Sequence, residues 1–152
     1  MYGLYTAQFS ELPLEGISGL GNGSTFRVHY EGDRIESYEY SWPDLKVHVT
    51  VMPAQELAVH LRGFKGYIAS TCRKLGVLLP KGLFERIDAT RLVLGFYAEP
   101  NMDVEGRAEG ILGPIAYNTK SLIFHADAVF DENSQQVFPP LSDTPQSPSN
   151  LN

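Results

Sequence analysis

The clearest pattern of apolar and polar positions runs from Leu45 to Gly76 and joins one strand to one long helix. In Leu45–Met52 apolar and polar residues alternate, and successive strand side chains point to opposite sides, so one face of this strand is apolar. The apolar spacing then changes to three and four, which predicts a helix with one apolar stripe. The stripe consists of Leu57, Leu61, Phe64, Ile68, Cys72 and Leu75.

Two glycines interrupt this predicted helix. Gly63 and Gly66 each weaken it by about 1 kcal/mol relative to alanine. Close packing or a slight bend is the usual reason for an interior helix glycine. The other reason is a site where a ligand approaches the helix backbone, and the sequence leaves both explanations open.

Two further strands precede Leu45. Ser24–Tyr30 and Ile35–Trp42 both alternate, and short turn-forming segments join them to each other and to the next strand. Short connections predict an antiparallel meander. We place Tyr38, Tyr40 and Trp42 in the core, because only this register gives every strand of the meander one polar face. The alternative register turns this stripe outward as a partner-binding patch.

The second half of the chain adds further elements. Ala89–Ala98 is apolar on both faces, which is typical of a strand in the middle of a sheet. Asp103–Asn118 has helical spacing but contains Pro114, which predicts a kink. Ser121–Phe130 is predicted to be a strand, and Gln135–Phe138 a short edge strand.

The predicted order is therefore β-β-β-α-β-α-β-β. The simplest arrangement is an α+β two-layer sandwich, with a mixed sheet of antiparallel meander plus crossover strands and both helices on one face. We assign residues 1–138 to a single domain. Residues 139–152 are rich in proline and serine, which predicts a flexible tail.

Composition narrows the class of partner. The net charge of -6 and a pI of about 5.1 argue against nucleic acid or an anionic membrane as the main partner. Cys72 is the single cysteine, so no disulfide framework is expected, and a reducing compartment fits. We see neither a signal peptide nor a run of about 20 apolar residues, and we expect a soluble cytoplasmic protein.

One polar surface is predicted on the uncovered face of the meander. It combines Arg27, His29, Glu39, Lys46 and His48, which alternate with the apolar positions. A solvated sheet face needs no further reason. The functional alternative is a ligand-binding or dimer surface, and these five are our candidate binding residues.

Catalytic motifs are weak. His125 and Asp127, two residues apart, are an alternative acid–base pair that would work together with His48. Neither HExxH nor paired CxxC is present, so we expect no metal and no other cofactor. The glycines of residues 19–23 precede a strand, whereas phosphate-binding loops precede a helix.

The leading hypothesis is a binding or protein-interaction module without a catalytic motif, self-associating as a homodimer through the open sheet face or an edge strand. If the module does not self-associate, its partner is expected to be another protein or a small molecule. The alternative is a small enzyme in which His48, His125 and Asp127 perform general acid–base chemistry on a small molecule. That alternative requires the two histidines on the same face of the sheet. Whether the chain catalyses any reaction is left open.

Overall fold

The computed structural model describes residues 1–100 and 106–141, and this part of the chain forms one eight-stranded sheet with four α-helices. The strands are β1 (Tyr2–Thr6), β2 (Thr25–Glu31), β3 (Arg34–Trp42), β4 (Leu45–Val51), β5 (Leu92–Glu99), β6 (Leu122–His125), β7 (Ala128–Phe130) and β8 (Gln136–Phe138). The helices are α1 (Leu14–Ile17), α2 (Leu57–Leu75), α3 (Leu83–Asp88) and α4 (Glu109–Thr119). A 3₁₀ turn, Ala54–Glu56, leads into α2.

The α+β class and the meander with a crossover are confirmed. The strand order is β2-β3-β4-β5-β1-β6-β7-β8, and every neighbouring pair in it is antiparallel. The expected mixed pairing is absent from these strands because β1 lies between β5 and β6. Those two strands run parallel to each other, as a crossover through α4 requires, but each pairs with β1 instead.

The two main helices cover opposite faces of the sheet. On β5, Leu94 packs in one cluster with Ile111 of α4, whereas Val93 packs in another cluster with Ile68 of α2. Neighbouring residues on a strand point to opposite sides, so α2 and α4 lie on opposite sides. The expectation of two layers with both helices on one face therefore does not hold. The two-sided apolar pattern of β5 follows from this double cover.

The apolar stripe of α2 is confirmed over most of its length, but Leu75 at its end is 55% exposed. Its stripe residues Leu61, Phe64 and Ile68 are buried, and the helix ends at Gly76, which has a left-handed φ of 65°. Tyr38 and Tyr40 face the core and are 1% and 0% exposed. The alternative register, with this stripe outward, is wrong.

The C-terminal part differs from the prediction. Ser121–Phe130 is not one strand but the hairpin β6–β7, because Ala126 and Asp127 both have positive φ, 51° and 64°. Two such residues in a row form the tight turn that fits the twist of a hairpin. The predicted strand 135–138 is present as β8. Residues 103–105 of the predicted second helix and 142–152 of the predicted tail lie outside the described residues.

Candidate functional site

A cleft with a volume of about 810 Å³ lies between α2 and the sheet face that α2 covers. Residues of β1, β4 and β5 contribute to its lining, and His60, Gly63, Phe64 and Tyr67 of α2 form one wall. These four residues follow each other at helical spacing, so they share one side of the helix. The volume is in the range of about 300–1,000 Å³ that is typical of small-molecule sites.

Three glycines shape the cleft. Gly3 and Gly95 lie opposite each other in the β1–β5 ladder and both line the cleft. A Cβ atom on Gly95 would lie 2.7 Å from the Thr50 hydroxyl oxygen, so close packing explains this glycine. Gly63 is different, because a Cβ atom there would have no neighbour within 4 Å. Close packing therefore does not explain Gly63, which is exposed and lines the cleft.

Aromatic rings make the cleft apolar and rigid. Tyr5 stacks on Phe64 with ring centroids 4.5 Å apart. Phe124 contacts both Phe64 and Tyr67 edge-on, with centroids 5.1 and 5.7 Å apart. Rings that hold each other in this way present a preformed surface, which lowers the entropy cost of binding.

One hydrogen-bonded pair lies inside this apolar surface. The Tyr5 hydroxyl is 2.8 Å from Nε2 of His60, 55 residues later in the chain. Burial raises the pKa of Tyr5 to about 12. The hydroxyl is therefore protonated at neutral pH, and it can donate one hydrogen bond and accept another.

Two carboxylates complete the lining. Glu56 lies at the start of α2. Asp127 belongs to the β6–β7 turn, and its backbone carbonyl accepts a 3.5 Å hydrogen bond from Tyr67. Among the described residues that line the cleft, none is a lysine or an arginine.

The predicted polar surface occupies the same side of the sheet, over the meander. Glu39 is its centre, because β3 pairs it with Arg27 on β2 and with His48 on β4. The Ser41 hydroxyl donates a 2.6 Å hydrogen bond to Glu39, and His29 lies 3.2 Å from the other carboxylate oxygen. These contacts, the Ser41 bond above all, lower the pKa of Glu39.

The β4 side of this surface holds a second histidine–carboxylate contact. His48 lies 2.7 Å from the Glu99 carboxylate and stacks on the Tyr97 ring at 4.6 Å. Lys46 is exposed and also helps to lower the pKa of Glu39. The structure therefore brings the five predicted residues together, and their role in binding stays a prediction.

The alternative acid–base residues do not converge. His48 on β4 lies opposite Tyr97 on β5. The next residue of β5, Phe96, packs in the cluster on the α4 side, so Tyr97 and His48 face the other side of the sheet. His125 stacks on Tyr2 at 3.8 Å, on the opposite face of the sheet. Asp127 lines the cleft under α2. The geometry that general acid–base chemistry by these three residues requires is therefore not formed.

Sequence reasoning missed most of the cleft. Tyr5 and His60 were not among its candidates, and β1 was not among the strands of the predicted order. Two signals pointed to the cleft: Gly63 inside a helix, and Gly95 inside an apolar strand, where glycine often marks a close approach of another group.

Neither metal-ligand geometry, nor helix hydropathy, nor similarity to known proteins assigns a function to this site. In the described part of the chain, no three His, Cys, Asp or Glu side chains are grouped so that they could hold a metal ion. Over the same residues, no helix combines the length and apolar character needed to cross a membrane. Neither a family model, nor a curated protein, nor a solved structure matches the chain.

Proposed function

We propose that this protein is a binding module that holds a small organic ligand in the cleft between α2 and the sheet. The observation that carries the proposal is the aromatic-lined space itself, whose helix wall includes Gly63, an exposed interior glycine at which a Cβ atom would have no neighbour within 4 Å. Alanine at this position would strengthen the helix by about 1 kcal/mol without touching any neighbour. Room for a ligand is a physical reason for the glycine that packing does not supply.

The chemistry of the lining suits binding. Its rings offer apolar contact area, and the Tyr5–His60 pair offers hydrogen bonds that fix the orientation of a ligand. All of these groups lie on helix α2 or on strands of the sheet, which hold them more rigidly than loops would.

A larger side chain inside the cleft should weaken the binding of a small apolar ligand. The Gly63→Leu variant places a branched side chain in the open space, and we expect it to weaken binding of the neutral apolar dye Nile red at least tenfold. Gly66→Leu is the matched control, because it lies on the same helix, also has no neighbour within 4 Å and does not line the cleft. Fluorescence titration measures both affinities.

Two outcomes would overturn this proposal: the parent protein fails to bind the dye, or both variants bind it as tightly as the parent. Both substitutions replace a helix glycine and should stabilise α2 by about 0.5–1 kcal/mol, so loss of folding does not confuse the comparison. Circular dichroism checks the helix content of each variant.

Self-association is a second candidate function, and the charge pattern of β2 favours it. In the described sheet β2 is the end strand, so its outer edge is free to pair with another strand. A two-fold antiparallel pairing with His29 opposite its own copy places Arg27 opposite Glu31 of the second copy. It also places Val28 opposite Tyr30, whose side chain is 60% exposed.

A charge swap tests this dimer. Arg27→Glu puts like charges opposite each other at two positions and should weaken dimerisation at least tenfold, whereas Arg27→Glu combined with Glu31→Arg should restore it. Lys46→Glu, on the same face but on β4, is the control. Sedimentation velocity over a concentration series measures the association, and a parent that is monomeric throughout would contradict this candidate.

A further inference from the structure

We infer that the ligand of the cleft is an elongated organic molecule with a cationic group at each end. This inference rests on the proposed function, because it concerns the same cleft. It is carried by the positions of two carboxylates, the apolar surface between them and the absence of lysine and arginine from the described lining.

The two carboxylates belong to lining residues that contact α2 at positions far apart along the helix. Glu56 precedes the first turn of α2, and Asp127 lies beside Tyr67, eleven residues further along the helix. At a rise of about 1.5 Å per residue, the separation along the helix is about 16 Å. One small cation cannot contact both groups, whereas a linear molecule with two cationic ends can.

Within the described residues, neither the Glu56 nor the Asp127 carboxylate forms an ion pair. Glu56 makes no side-chain capping hydrogen bond to α2, although it occupies the N-cap position. Both carboxylates are therefore available to a cationic ligand, and an anionic ligand would be repelled at both ends.

The surface between the carboxylates fits an alkyl chain. Gly63 leaves room for it, and the rings of Tyr5 and Phe64 provide apolar contact. Next to Asp127, the Tyr67 ring adds a face on which an ammonium group gains cation–π attraction. The net charge of -6 also draws cations toward the protein.

Calorimetric titration with a long-chain diamine tests this ligand class. Diaminododecane should bind at least tenfold more tightly than dodecylamine, which has one cationic end, and than diaminobutane, which is too short. Dodecanedioic acid, with the same chain and anionic ends, should not bind. Equal affinities for the diamine and dodecylamine, or binding of the diacid, would overturn the inference.

Removal of the two charges gives an independent test. The double variant Glu56→Gln, Asp127→Asn should lose at least tenfold in affinity for diaminododecane, and an unchanged affinity would overturn the inference. Glu85→Gln on α3 removes an exposed carboxylate outside the cleft and is the matched control. If the parent binds Nile red in the cleft but shows no preference for the diamine, this inference fails and the proposed binding function stands.

Discussion

Replacement of Phe138 by alanine should lower the free energy of unfolding by about 3–5 kcal/mol. Phe138 is fully buried, although it belongs to a strand of only three residues near the end of the described chain. Its ring packs in the cluster formed with Ile68 of α2, Ile87 of α3 and Val129 of β7. Loss of the ring leaves a cavity between these elements, and the pairing of β8 with β7 covers only two residue pairs.

Urea denaturation measures this effect, and the melting temperature should fall by on the order of 10 °C. Phe138→Leu keeps most of the apolar volume and should cost less than about 1.5 kcal/mol. Comparison of the alanine and leucine variants separates the loss of packing from any general effect of substitution in β8. If the alanine variant were as stable as the leucine variant, Phe138 would not be part of the core.

Local periodicity made much of this fold predictable. The alternation in Leu45–Val51 and the helical stripe of α2 each depend on one segment, and both segments form as predicted. The same alternation placed Arg27, Glu39 and His48 on one face, because side-chain direction along a strand follows from the backbone alone. Such patterns specify which face of an element is apolar.

The same patterns do not specify which elements meet. The stripe of α4 requires an apolar partner but does not say on which side of the sheet it lies. The two-sided apolar run Leu92–Phe96 held this information, since a strand buried on both faces needs cover from both sides. The position of β1 between β5 and β6 joins segments about 90 and 120 residues apart, and no local spacing encodes that pairing.

The cleft escaped prediction for the same reason. Tyr5 and His60 come from β1 and α2, and their contact exists only because β1 inserts at the centre of the sheet. Gly63 was the local signal that a side of α2 is left open. The sequence raised the choice between close packing and a ligand, and the distances around the glycine exclude close packing, while the ligand stays a proposal.

Replacement of Gly21 by alanine should lower the free energy of unfolding by about 2–4 kcal/mol. Gly21 has a φ of +67°, in the left-handed region that costs other residues about 1–2 kcal/mol. A Cβ atom there would also lie 2.9 Å from Cδ2 of Tyr40 and 2.9 Å from the Ser24 hydroxyl oxygen. Ser24 is itself tied to the Gly21 carbonyl by a 2.5 Å hydrogen bond.

The ring of Tyr40 cannot easily move to relieve this contact. Tyr40 is fully buried, and its hydroxyl donates a 2.9 Å hydrogen bond to the Ile17 carbonyl at the end of α1. A shift of the ring would break this bond and leave the buried Tyr40 hydroxyl without its acceptor, which costs about 1–3 kcal/mol. The glycine-rich segment is therefore packed against the core on the α4 side of the sheet, and Gly21 is required by that contact.

Gly19→Ala is the matched control for this prediction. Gly19 lies two residues earlier in the same segment, and a Cβ atom there would have no neighbour within 4 Å. Its φ is not positive, so alanine fits the folded backbone without strain. Because alanine lowers the conformational entropy of the unfolded chain, the variant should be as stable as the parent or more stable by up to about 1 kcal/mol. Thermal denaturation of both variants measures the difference. Equal stabilities would mean that segment 19–24 does not pack on Tyr40 as the structure shows.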